Sequence, residues 1–148
     1  MKSESEIMIK KVKHLLFHPV FWIMVNAICL MANFNYFVFG NSYGIKWINL
    51  PVSIMYMVYM VLFACKGNNR FIVIIGIIYV VLGLLGFPVS KYAMAADWLI
   101  APSILFIAPY SGINHLIKSK PLCWVLYAGF GTVLMIIAII RRKMDNRF

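Results

Sequence analysis

Long apolar runs separated by short polar punctuation dominate this chain, and their lengths predict helices rather than strands. The first run, residues 15–39, reads "LLFHPVFWIMVNAICLMANFNYFVF" and is long enough to cross a hydrocarbon layer with tilt. Its Pro19 lies in the first turns, where a missing N–H costs little. A short Gly-punctuated loop follows at 40–49, with Trp47 suited to an interface between water and lipid. The second run, 50–65, opens at Pro51, and the polar turn "KGNNR" at 66–70 joins it to the third, 71–87, which ends before Pro88. These two runs predict a helical hairpin. The last clear run, 122–140, stops abruptly at "RRK".

The stretch 91–120 follows neither rule cleanly. Residues 93–110 carry one charge, Asp97, and are long enough to span. Pro102 and Pro109, however, sit seven apart on one helix face, and each removes a backbone bond that only protein or water can replace. Basic residues weigh the alternatives. If the stretch crosses, Lys2, Lys10, Lys11, Lys13, Lys66, Arg70, Lys118 and Lys120 lie inside, eight against six outside. If it folds back, Arg141, Arg142, Lys143 and Arg147 replace Lys118 and Lys120, ten against four. The excess of cytoplasmic cations found in membrane proteins favours the second arrangement. The expectation is an all-α integral membrane protein, a compact bundle of four full transmembrane helices plus a Pro-broken segment at 93–117, either re-entrant or a fifth span. Residues 1–14 form a cytoplasmic head, 15–140 the single bundle and 141–148 a basic tail.

Composition strengthens this picture. With 64% hydrophobic residues, 12% charged residues and a mean hydropathy of +0.89, the chain does not suit water as its solvent. A net charge of +10 suggests nucleic acid only if the cations share one surface, and here they punctuate the ends of apolar runs. Lipid is therefore the expected partner, together with other membrane subunits or a second copy, and nucleic acid is not. The first run is about twice the length of a signal-peptide core, so a retained membrane helix is expected, with the N-terminus cytoplasmic in a bacterial plasma membrane. Cys29, Cys65 and Cys123 stand alone in separate runs and read as buried free thiols.

Candidate chemistry is sparse. The carboxylates are Glu4, Glu6, Asp97 and Asp145, and only Asp97 approaches membrane depth, which excludes a paired-carboxylate mechanism within one chain. His14 and His18 share a helix face but lack a third ligand, and Met55, Met57 and Met60 do not stack on one face, so neither metal nor cofactor is expected. Ser53, Ser103 and Ser111 have no nucleophile context, and no catalytic residue is assigned. Asn26 and Asn33, seven apart in the first run, need partners at that depth, either across helices or in a solute cavity. Gly76, Gly83 and Gly86 in one run and Gly129 in another offer close helix packing.

Three functions follow from this inventory. The first is a contact-acting accessory, immunity or assembly subunit of a larger membrane system. The second is an oligomeric small-solute or ion transporter or channel whose pocket comprises Asn26, Asn33, Asp97, Asn114 and His115. The third is a membrane-embedded enzyme using Asp97 and His115 as an acid–base pair. The residues point away from the enzyme.

Overall fold

A computed structural model describes residues 4–39, 46–92, 97–117 and 119–145. Residues 40–45 of the loop expected at 40–49, the first four residues of the 93–117 segment, Lys118, and the Lys2 and Arg147 of the charge count lie outside them, while residues 46–49 of that loop are helical and open α3. The helices in chain order are α1 (Glu4–Leu16), α2 (Pro19–Phe39), α3 (Lys46–Lys66), α4 (Asn69–Tyr92), α5 (Ile100–Phe106) and α6 (Lys120–Asp145). A 3-10 turn at Asp97–Leu99 precedes α5, and a 3-10 helix at Ala108–His115 follows it. Four of these, α2, α3, α4 and α6, are long and apolar enough to span a membrane.

The N-terminal head is an amphipathic helix. Met8, Val12 and Leu15, flanked by Ile9 and Leu16, recur at helical spacing and are all exposed, while Lys11 borders this stripe and His14 lies on the other side. The first long helix begins at Pro19 rather than Leu15. Pro19 has no N–H to continue the ladder onto the Leu15 carbonyl, so the His18 N–H closes that carbonyl at 3.1 Å in a tighter turn. His18 Nδ1 then accepts from the Val20 N–H at 3.3 Å, and the chain restarts as α2.

At the other boundary α6 runs past residue 140, where the basic tail was expected to begin, through Arg141 to Asp145. The Arg141 guanidinium donates to the Ala64 carbonyl at 3.2 Å and to the Gly67 carbonyl, satisfying acceptors left open where α3 ends. Lys66 Nζ lies 5.6 Å from the Phe17 ring, and Tyr59 donates to the Leu16 carbonyl at 3.2 Å. The α1–α2 turn, the "KGNNR" turn and the end of α6 therefore gather at one end of the bundle. At this end α4 starts, its first turn capped by Asn68 Oδ1, which accepts from the Arg70 and Phe71 N–H groups.

The closest helix pair is α4 with α6, running antiparallel. A Cβ on Gly83 would lie 2.6 Å from the Trp124 carbonyl oxygen, Gly76 abuts Met135 and Gly131, and Gly86 lies under the Trp124 ring. Small residues let these backbones touch. On α6 the matching residue is Gly131, where a Cβ would stand 2.6 Å from the Gly76 carbonyl. Gly129, expected to share the role, faces away, with nothing within 4 Å of a Cβ.

Candidate functional site

The segment from Asp97 to Ile117 enters the bundle and leaves at the same end. Leu99 lies beside Phe37 and Val38, near the end of α2. Deeper, the Leu105 carbonyl meets Asn26, and the Phe106 ring stacks on Trp22 at 6.5 Å, one turn from the start of α2. The chain then returns: the Pro109 carbonyl meets Asn33 and His115 stacks on Tyr36 at 4.0 Å. From Tyr36 down to Trp22 is about 21 Å at 1.5 Å rise per residue. The apex, Ile107 to Ser111, is fully buried, and Tyr110 packs among Tyr56, Tyr79 and Tyr127 with ring centroids 5.8, 5.3 and 4.9 Å away.

Irregular backbone in an apolar core needs partners from elsewhere, and for three groups the partner is a side chain of α2 or α3. In a continuous helix the Leu105 carbonyl would accept from the N–H of residue 109, which is proline and has none. Asn26 Nδ2 supplies the missing donor at 3.0 Å. Beyond the kink, where Tyr110 has φ −120° and ψ 15°, the Pro109 carbonyl accepts from Asn33 Nδ2 at 2.7 Å and the Gly112 N–H donates to Ser53 Oγ at 2.9 Å. Asn33 and Ser53 are themselves joined at 3.1 Å, so one side-chain pair serves two orphaned backbone groups. Gly112 lies against the Asn49 backbone, where no side chain fits.

A relay of hydrogen bonds ties the hairpin to the rest. Asn26 Nδ2 donates to a carbonyl, so its Oδ1 is the acceptor for Tyr56 OH, at 2.6 Å. Tyr56 has one proton and gives it there, so Tyr79 donates to Tyr56 across 3.1 Å. The chain Tyr79, Tyr56, Asn26, Leu105 thus links α4, α3, α2 and α5. Near the hairpin exit Tyr127 of α6 donates to Asn114 Oδ1 at 2.5 Å. Asn49 Nδ2 joins α3 to the Ala32 carbonyl of α2 at 2.7 Å.

Of the residues expected to line a pocket, Asn26 and Asn33 meet the hairpin backbone, Asn114 meets Tyr127 and His115 meets Tyr36. Asp97 is exposed at the hairpin entrance, at the same bundle end as His115. Tyr56, Tyr79, Ser53 and Asn49 complete the polar core. Tyr56, Tyr79 and Ser53 stand inside long apolar runs and Asn49 at the edge of one, but nothing in their spacing singles them out as a network. Among the described residues no three His, Cys, Asp or Glu come together to hold a metal. His14 and His18 lie with ring centroids 5.9 Å apart. Cys29 and Cys123 are buried free thiols, whereas Cys65, expected to be buried, is exposed because it falls on the outer face of α3.

Cavities flank this core. One of about 440 Å³ lies between Met57 of α3, Tyr110 of the hairpin and Val125, Gly129 and Phe130 of α6. Another, of about 330 Å³, lies between the far ends of α2 and α4, α5 and the start of α6. A third, of about 700 Å³, opens at the basic end beside His14, His18 and Lys66. No family model, no curated protein and no solved structure matches this chain.

Proposed function

We propose that this chain is an integral membrane protein that works by contact, as an accessory, immunity or assembly subunit of a larger membrane system. In this reading α2, α3, α4 and α6 cross the bilayer, and the 97–117 segment is a re-entrant hairpin. Lys11, Lys66, Arg70, Arg141, Arg142 and Lys143 belong to the end that holds the α1–α2 turn, the 66–70 turn and the end of α6, and the usual charge bias supports a cytoplasmic position for that end. α1 lies along the cytoplasmic surface with Met8, Val12 and Leu15 in the acyl boundary and Lys11 among headgroups.

One observation carries the functional reading. Of the amides that a solute path would need, Asn26 and Asn33 bind the hairpin's own backbone and Asn114 binds Tyr127, and the hairpin fills the centre of the bundle. What remains for function is the outer surface, where α2 presents Ile23, Met24, Ile28, Met31 and Phe34 in a continuous exposed stripe. A photo-crosslinker at Met31, which is 80% exposed, is expected to yield one discrete protein adduct in cells, and vesicles holding the purified chain are expected to pass potassium ions and protons no faster than empty ones. Flux that disappears in Asn33→Leu would overturn this in favour of a conducting path. The specific observation behind that second reading is that Asn33 Oδ1 and Asn49 Oδ1 are buried without a protein hydrogen-bond partner among the described residues.

A further inference from the structure

The cavity of about 700 Å³ lies where the α1–α2 turn meets the 66–70 turn, and the polar side chains in its lining are His14, His18, Lys66 and Asn68. No carboxylate lines it. Donors and acceptors at this place are unevenly matched. The acceptors are taken: the Leu15 carbonyl receives the His18 N–H, the Leu16 carbonyl receives Tyr59 OH, and the Ala64 and Gly67 carbonyls receive Arg141. The side-chain donors are left over. His18 Nδ1 accepts from the Val20 N–H, which puts the neutral ring's proton on Nε2 and leaves that N–H to donate. Asn68 Oδ1 accepts from the Arg70 and Phe71 N–H groups, which leaves its Nδ2 to donate. The Lys66 ammonium stands 5.6 Å from the Phe17 ring centroid and has no acidic partner among the described residues, where Asp145 pairs with Arg141. His14 adds a second imidazole, its centroid 5.9 Å from that of His18.

A cavity lined by spare donors and a fixed positive charge is complementary to an anion that brings several acceptor oxygens. The backbone adds the same sign, because Pro19 opens α2 and Asn68 caps α4, so the positive ends of two long helices border the site. Position narrows the anion. In the membrane reading, on which this inference rests, this end of the bundle stands among cytoplasmic headgroups, where basic pockets meet lipid phosphate. A phosphomonoester also presents more acceptor oxygens than a carboxylate does, which suits four donor side chains. We propose that this cavity binds phosphate, carried by a lipid headgroup of the cytoplasmic leaflet or free in solution, with Lys66 and His18 as its principal donors.

The test uses the purified full chain in an uncharged, phosphate-free detergent at neutral pH and low salt. It is titrated with inorganic phosphate, with dihexanoyl phosphatidic acid, or with dihexanoylglycerol, the same lipid without its phosphate. Thermal unfolding should rise saturably with a phosphate ligand and not with dihexanoylglycerol. Saturation by the lipid at lower concentration than inorganic phosphate assigns a headgroup, whereas comparable saturation, or a shift with inorganic phosphate alone, assigns free phosphate. Lys66→Gln should raise the half-saturating concentration about fivefold, the worth of one cation near an anionic headgroup. His18→Asn, whose Oδ1 keeps an acceptor for the Val20 N–H, should raise it about threefold, the loss of one neutral hydrogen bond. Arg142→Gln removes the same charge from an exposed position of α6 outside the cavity and should leave it unchanged. Helical circular-dichroism spectra of all three variants show that they are folded. No saturable shift with either phosphate ligand, an equal shift with dihexanoylglycerol, or a loss in Arg142→Gln matching that in Lys66→Gln would overturn the assignment. If such a failure comes from a chain that alkaline carbonate leaves in the membrane pellet, the phosphate assignment alone falls. If carbonate strips the chain off, the membrane reading falls with it.

Discussion

Where α4 meets α6, the interface is built by leaving side chains out: Gly76, Gly83, Gly86 and Gly131 bring two regular backbones into contact. Where α2 and α3 meet the hairpin, it is built by putting polar side chains in: Asn26, Asn33 and Ser53 reach across to backbone groups that have no helical partner. Regularity explains the difference. A continuous helix satisfies its own N–H and C=O groups and asks of its neighbour only a matching shape, whereas a Pro-broken segment carries unmet groups into an apolar core. Close packing of small residues serves the first case, and donors at fixed depths serve the second.

The sharpest way to break this contrast is to add bulk to the glycine seam. Gly83→Leu forces a side chain onto the Trp124 backbone, which cannot rotate away, and is expected to cost about 3 kcal/mol, the upper range for overpacking. Unfolding in mixed detergent micelles followed by circular dichroism measures it, and an unchanged midpoint would show that α4 and α6 do not touch there.

The polar side should respond to loss of a donor rather than to bulk. Asn33→Leu keeps the branching and the number of side-chain heavy atoms but leaves the Pro109 carbonyl buried and unpaired, for an expected loss of about 2 kcal/mol in the same assay. Asn26 offers a finer test, because its role is to replace the N–H that Pro109 lacks. In a double-mutant cycle, Asn26→Leu should cost about 1 kcal/mol less in a Pro109→Ala background, where an alanine N–H can serve the Leu105 carbonyl. Additive losses would remove the replacement argument.

The smallest effect separates two glycines on one helix. Gly129→Leu meets open space and replaces a poor helix former with a good one, so stability should change by about 0.5 kcal/mol or rise slightly, whereas Gly131→Leu should behave like Gly83→Leu. Similar losses from both would mean that α6 is rotated from the orientation described.

Legibility in the sequence followed the same divide. The long helices announce themselves because apolar length and helical self-satisfaction are local properties, readable run by run. Even so, their ends needed context. α4 continues through Pro88 to Tyr92, since a single lost bond in the last turns is tolerated, while Pro19 divides α1 from α2. The prolines at 102 and 109 and the asparagines at 26 and 33 were each visible as oddities. Nothing in their spacing says that they answer one another, because Asn26 and Leu105 are 79 positions apart and meet only once the hairpin is folded in.

Gly129 and Gly131 show the limit at single-residue scale: both belong to a cluster of small residues, and a rotation of α6 decides which of them touches α4. By itself, the sequence determined the all-helical architecture, the apolar character of its surfaces and the gathering of cations at the ends of runs, since each follows from composition and period along a local segment. Only the tertiary structure decided that the 97–117 segment turns back and which donor serves which orphaned carbonyl. Those facts depend on depth and rotation about helix axes. Neither is encoded by any one segment, and both are settled only when the unmet hydrogen bonds of one element are matched to the side chains of another.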